Sequence, residues 1–92
     1  MSDFDAKLAD LATRFTARVP MERSALASAL ATGDRIAIAA LAHKLSGIAG
    51  MFGYPGISDA ARELELSAER GEDIAAEARL LDQSLSALEG GR

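Results

Sequence analysis

The chain has no cysteine and no tryptophan, one histidine and two prolines, and its aromatics are three phenylalanines and one tyrosine among 92 residues. Without cysteine there is no disulfide frame, no thiolate metal site and no thiol nucleophile. Valine occurs once, so the β-branched and aromatic residues that build strands are scarce. No apolar run approaches the roughly 18 residues of a membrane span, and no signal-peptide pattern opens the chain. A cytoplasmic location is therefore expected. Alanine and leucine are abundant, with 20 and 12 copies, and both favour helix. The length bounds the chain to one domain, residues 1–92, around a modest core. Any chemistry that needs an imidazole must use His43.

Charge narrows the partners. The net charge of −4 disfavours nucleic acid, whose binding requires neutralising a dense row of phosphates. The charge is uneven: residues 1–55 carry six basic and five acidic side chains, residues 56–92 four and nine. The acidic second half reads as a solvated helical face. The near-neutral first half holds His43 and would not repel an acidic partner.

Apolar periodicity divides the chain into helices. Phe4, Leu8, Leu11, Phe15 and Val19 share one helical face, with Ser2 or Asp3 available as a cap. Pro20 interrupts the pattern, which resumes at Leu26 and Leu30. One long bent helix and two helices meeting near Pro20 both fit. After Thr32-Gly33, Asp34 caps a helix whose expected core stripe is Ile38, Leu41, Leu45, Ile48 and Phe52. Gly53-Tyr54-Pro55-Gly56 forms a turn. Further stripes follow at Ile57, Ala61, Leu64 and Ala68, then at Ile74, Ala78, Leu81, Leu85 and Leu88, fraying into Gly90-Gly91-Arg92. The short connections make neighbours antiparallel. The expected fold is all-α, an up-and-down four-helix bundle, with or without an extra N-terminal helix.

At about 100° per residue, the expected core stripe lies roughly 140–200° from His43, so the imidazole points outward. Its own face carries Ile36, Ala39, Ala40, Gly47 and Gly50, with Ser46 at the edge and Met51 somewhat further round. A glycine inside a helix costs about 1 kcal/mol relative to alanine. Two on this face imply a purpose: access to the ring for another protein, or close packing of a neighbouring helix. The projection alone leaves both open. Ile36 and Met51, with Ala39 and Ala40 between them, form a candidate apolar docking patch.

Other chemistries fit poorly. Ser46 is three residues from His43, but no nucleophile elbow accompanies it. The helix offers no HxxxH or ExxH arrangement for a metal. Gly47, Gly50 and Gly53 lack the spacing and the Lys-Ser/Thr ending of a phosphate loop. Glu63 and Glu65 point to different faces of their helix and are expected to serve solubility. An exposed imidazole, by contrast, can act alone as a nucleophile. Phosphoryl transfer asks mainly position and access of its acceptor, and the metal and charge-stabilising groups can belong to the partner.

The stretch Ala42-His43-Lys44-Leu45-Ser46-Gly47-Ile48-Ala49-Gly50-Met51-Phe52-Gly53 resembles the signature of histidine-containing phosphotransfer (HPt) domains. Those domains read A-H-x-L-K-G, then small residues and another glycine six positions on; Ala42, His43, Leu45, Gly47 and Gly53 match. Ala31-Thr32-Gly33-Asp34 before the motif and Ala61-Arg62-Glu63-Leu64-Glu65 after it agree as well. The resemblance covers most of the chain, with its specific part in residues 41–53.

The resemblance implies a phosphorelay intermediate without catalytic machinery of its own. His43 would accept a phosphoryl group, through Nε2, from a receiver-domain aspartate or a hybrid sensor kinase and pass it to another receiver. It implies no resident cofactor, with Mg²⁺ supplied by the receiver, and a monomer that engages neither nucleic acid nor membrane. Gly47 and Gly50 would leave room for the phosphoryl group. Ser46 stands where the family usually has lysine, and a hydroxyl offers one neutral hydrogen bond in place of a cation. Lys44 is expected to compensate, since its long stem can reach round from the next face. The other reading of the same residues is a bundle that docks a receiver or kinase and regulates it without carrying phosphate.

Overall fold

A computed structural model describes residues 3–90 of the chain, which form four helices. They are α1 (Asp3–Thr32), α2 (Arg35–Met51), α3 (Pro55–Glu69) and α4 (Ala75–Gly90). Each packs on the next in sequence, and α4 closes back onto α1, giving an antiparallel up-and-down bundle. Among the described residues there is no strand and no extra N-terminal helix. Nor is any helix long and apolar enough to cross a membrane.

The question at Pro20 resolves to one continuous helix. Proline removes one intrahelical donor, but Pro20 is solvent-exposed and the burial of Phe15 and Val19 before it and Leu26 after it holds the helix together. Thirty residues at about 1.5 Å each give roughly 45 Å. The molecule measures 46 × 22 × 17 Å, so α1 alone sets its long axis. The other helices reach only about half as far. The N-terminal part of α1 therefore overhangs the bundle, and its first buried residue is Phe15. Phe4 keeps the core phase yet is 67% exposed, beyond the reach of the shorter helices, and Leu11, at the rim of the bundle, is 43% exposed. Phe15 closes the end of the bundle, its ring centroid 6.4 Å from Phe52 and 5.9 Å from Tyr54.

Local signals set the remaining boundaries. Asp34 caps α2 by accepting the Ala37 N–H at 3.0 Å. Gly33 (φ 69°) and Gly53 (φ 80°) adopt the left-handed conformation that ends α1 and α2. The Asp34 N–H then reaches back to the Ala29 carbonyl, and the Tyr54 N–H to that of Ala49. The proposed Ser2 cap and the fraying at Gly91-Arg92 lie outside the described residues.

Burial in α2 differs from the expected stripe. Ile38, Ala42, Leu45 and Ala49 are buried, while Leu41, Ile48 and Phe52 are only partly so. The buried face has turned toward α3, the helix with which α2 packs most closely. Alanines at 42 and 49 admit that close approach, and the larger side chains fill the wider seam beside α1. Ile57, Ala61, Leu64 and Ala68 of α3 are all buried as expected, as are Ala78, Leu81 and Leu85 of α4.

Two polar ties set the helices' relative height. Arg35, at the start of α2, donates to the carbonyls of Ala68 (3.4 Å), in the last turn of α3, and Glu72 (2.7 Å), in the loop after it. A cation there meets the negative end of the helix dipole. Arg23 on α1 clasps Asp82 on α4 through two hydrogen bonds, at 2.8 and 3.1 Å, and also donates to Glu89.

Candidate functional site

His43 lies midway along α2 on the face away from the core, its side chain 77% exposed. The backbone places it there because its neighbours Ala42 and Leu45 are drawn inward, both at 0% exposure. The ring is nonetheless held. Its Nδ1 lies 2.9 Å from Oε2 of Glu65, which reaches across from α3 and is itself only 18% exposed. An ionised carboxylate can only accept, so the imidazole donates through Nδ1–H and its lone pair resides on Nε2. The nitrogen that bears the lone pair thus belongs to the free edge of the ring.

Glu65 is the residue that sequence reasoning assigned to solubility. On α3 it follows the buried Leu64 directly, at the margin of the core stripe. That margin is visible in the periodicity; that it faces α2, at the height of His43, is a tertiary fact.

The two glycines on the His43 face separate. A Cβ built on Gly47 would meet nothing within 4 Å, so this position is open space one turn from the imidazole. A Cβ on Gly50 would come within 3.3 Å of Ser58 Oγ. The space beside Gly47 is open, whereas at Gly50 a side chain of α3 comes close. Gly50 therefore lies where α3, which carries Glu65, comes near.

Ser46 also turns toward α3. Ser58 Oγ donates to the Ser46 carbonyl at 2.9 Å, and the two hydroxyl oxygens lie 3.4 Å apart. The Ser46 hydroxyl is a seam contact in this arrangement, directed at Ser58 and not at the imidazole.

Lys44 does not make the expected compensating reach toward His43. Its Nζ is 3.1 Å from both carboxylate oxygens of Glu22 on α1. Glu22 lies in the apolar phase of α1, between Val19 and Leu26, and its side chain is 7% exposed. Stranding a buried carboxylate costs about 3–5 kcal/mol, whereas a surface ion pair is worth about 0–1 kcal/mol. The 44% exposure of Lys44 softens the first figure, but the balance still keeps the ammonium on Glu22.

Of the expected docking residues, Ile36, Ala39 and Ala40 share one shallow groove with His43, lined on the α3 side by Glu65, Ala68 and Glu69. Ile36 is 86% exposed. Met51 is also exposed but belongs to a different groove, between α1 and α2, with Leu11, Phe15 and Phe52. Eight residues separate it from His43, about 12 Å along the helix, and its position round the axis is on the α1 side. One continuous apolar patch from Ile36 to Met51 is not formed. Among the described residues, no group of three or more His, Asp or Glu side chains is arranged to hold a metal ion.

Two elements of this site, a solvent-facing histidine on the second helix of a four-helix bundle and a glycine clearing space four residues later, agree with the resemblance read from residues 41–53. No curated protein and no solved structure matches the chain. A family model described as the Hpt domain matches residues 10–91, which takes in all of α2, α3 and α4 and most of α1. The chain belongs to the Hpt domain family, whose members are phosphotransfer intermediates of phosphorelays.

Proposed function

We propose that the protein carries a phosphoryl group on Nε2 of His43 between receiver domains. The observation that carries this reading is the pairing of an exposed ring with a fixed Nδ1–H: Glu65 holds one nitrogen at 2.9 Å while the other is left to the partner. In the accepting step the Nε2 lone pair attacks the phosphorus of a receiver's phosphoaspartate. The N–P bond forms as the O–P bond breaks, and the electron pair leaves on the aspartate carboxylate. Donation to a second receiver reverses these bond changes. The Nδ1 proton stays in place throughout, hydrogen-bonded to Glu65, so the imidazole leaves in donation as the neutral ring.

Position and access are what such a loose transition state asks of the acceptor. Gly47 supplies the clearance, and the groove of Ile36, Ala39 and Ala40 supplies an apolar footing for the receiver. Mg²⁺ and the phosphate-binding lysine belong to the receiver, so the protein acts as a carrier, as a monomer and without a cofactor of its own. A hybrid sensor kinase carrying a receiver is a suitable donor.

The test is incubation with a receiver domain phosphorylated by acetyl phosphate in the presence of Mg²⁺. Acid-labile, base-stable phosphate on the wild type, and its loss in His43→Gln with helicity intact, is the expected result. Binding of receivers with no label on His43 would reassign the protein as a docking module that regulates without carrying phosphate.

A further inference from the structure

Glu22 is an acid where the periodicity of α1 calls for an apolar side chain, and it is 5% exposed as a residue. Its partner is Lys44, the residue that follows the phosphoacceptor. We propose that Glu22 is a positioning residue that withholds Lys44 from the phosphoryl group, keeping phosphohistidine at high transfer potential. This rests on the phosphoacceptor reading of His43.

The argument is one of competing partners. A phosphoryl group on Nε2 would lie in solvent, where an added cation gains little. Moving Lys44 to it would leave a buried carboxylate without its cation, which is the costlier arrangement. Ser46 cannot substitute, since its hydroxyl is turned to Ser58 at the α2–α3 seam. The nearest fixed charge to the ring is the carboxylate of Glu65. The phosphorylated carrier is thus left without Lys44 to stabilise it, and the reaction that consumes it is transfer to a receiver carboxylate whose site brings its own cations. The arrangement suits transit better than storage.

Potassium phosphoramidate provides a probe that needs no cognate partner. Nε2 displaces ammonia from phosphorus; the ring N–P bond forms, the original N–P bond breaks, and ammonia leaves with the electron pair. At fixed phosphoramidate and ammonia concentrations, occupancy of His43 measured by ³¹P NMR gives an equilibrium constant. Glu22→Gln frees Lys44 and should raise that constant about two- to fivefold, the scale of an exposed ion pair. Lys44→Gln should leave it at the wild-type value, and Glu22→Gln with Lys44→Gln should return it there, which a merely structural effect of Glu22 would not do. Circular dichroism checks that each variant is folded.

A severalfold fall in Lys44→Gln alone would overturn the proposal, because Lys44 would then already serve the phosphoryl group. So would an unchanged constant in folded Glu22→Gln. Should Glu22→Gln fail to fold, Lys44→Gln decides alone. An unlabelled wild type, with every variant also blank, would instead defeat the phosphoacceptor reading and this inference with it.

Discussion

Glu65 on α3 accepts the Nδ1–H of His43 on α2 at 2.9 Å, across 22 residues of sequence. The contact favours the tautomer with its lone pair on Nε2, and it does so with a side chain largely sheltered from solvent. Orientation and tautomer thus depend on how two helices pack, and not on α2 alone.

Removing the carboxylate should therefore impair phosphorylation without unfolding the bundle. Glu65→Ala loses one charge-assisted hydrogen bond, worth about 1.5–3 kcal/mol when well formed and less at this exposed ring. A fall in phosphorylation rate of about tenfold is expected. Glu65→Gln retains an acceptor and should fall between Glu65→Ala and wild type. Nitrogen-15 NMR of the imidazole provides the independent check: the wild type should show Nδ1–H, and Glu65→Ala a mixture of tautomers. Equal tautomer populations in the two proteins would refute the role given to Glu65.

The glycines should respond in opposite senses. Gly47→Ala enters open space and gains helix propensity of about 1 kcal/mol. For a domain of this size that raises Tm by about 4–8 °C. Gly50→Ala meets Ser58 Oγ at 3.3 Å, which offsets the gain, so its Tm should rise less or fall. Thermal unfolding separates the two. Gly47→Leu should remain folded but obstruct transfer from a phosphorylated receiver, and undiminished transfer would remove the access argument.

Much of this architecture was legible from local chemistry. Asp34 as a cap, Gly33 and Gly53 as stops, and the stripe Ile57-Ala61-Leu64-Ala68 each follow from a few adjacent residues. Pro20 was ambiguous because its local penalty is offset by packing on either side, and packing is not a local property. The turn of α2 toward α3 was hidden for a related reason: alanines at 42 and 49 look neutral until a neighbour comes close enough to use them. Glu22 left a signal, since the spacing Phe15, Val19, Glu22, Leu26 puts an acid inside and obliges it to find a cation. Identifying Lys44 as that cation required the register of α1 against α2.

The Arg23–Asp82 clasp makes stability depend on pH in a defined sense. Arg23 holds the Asp82 carboxyl below the usual carboxylate range, chiefly by hydrogen bonding and against the opposing effect of burial. A folded-state value below the unfolded one means the stabilisation is complete above the ordinary carboxylate range and is lost as pH falls through the folded value. Asp82→Asn should therefore reduce stability at pH 7 and narrow the difference from wild type as the pH drops below about 4. Urea unfolding of both proteins across that range checks this. A gap that stays constant down to pH 2 would show that Asp82 contributes through packing, not charge.

The overhang of α1 should be energetically separate from the bundle. Phe4 and Leu11 share the helical phase of Phe15, yet only Phe15 is enclosed, at 4% exposure against Phe52 and Tyr54. Burying a phenylalanine and then deleting it costs about 3–5 kcal/mol, whereas substitutions at exposed positions fall within about 0.5 kcal/mol. Phe15→Ala should accordingly destabilise the protein severely, and Phe4→Ser hardly at all. The measurement is the urea midpoint of each variant, read at low and high protein concentration. A cost above about 1 kcal/mol for Phe4→Ser, growing with concentration, would mean that the overhang is covered by a second copy in solution.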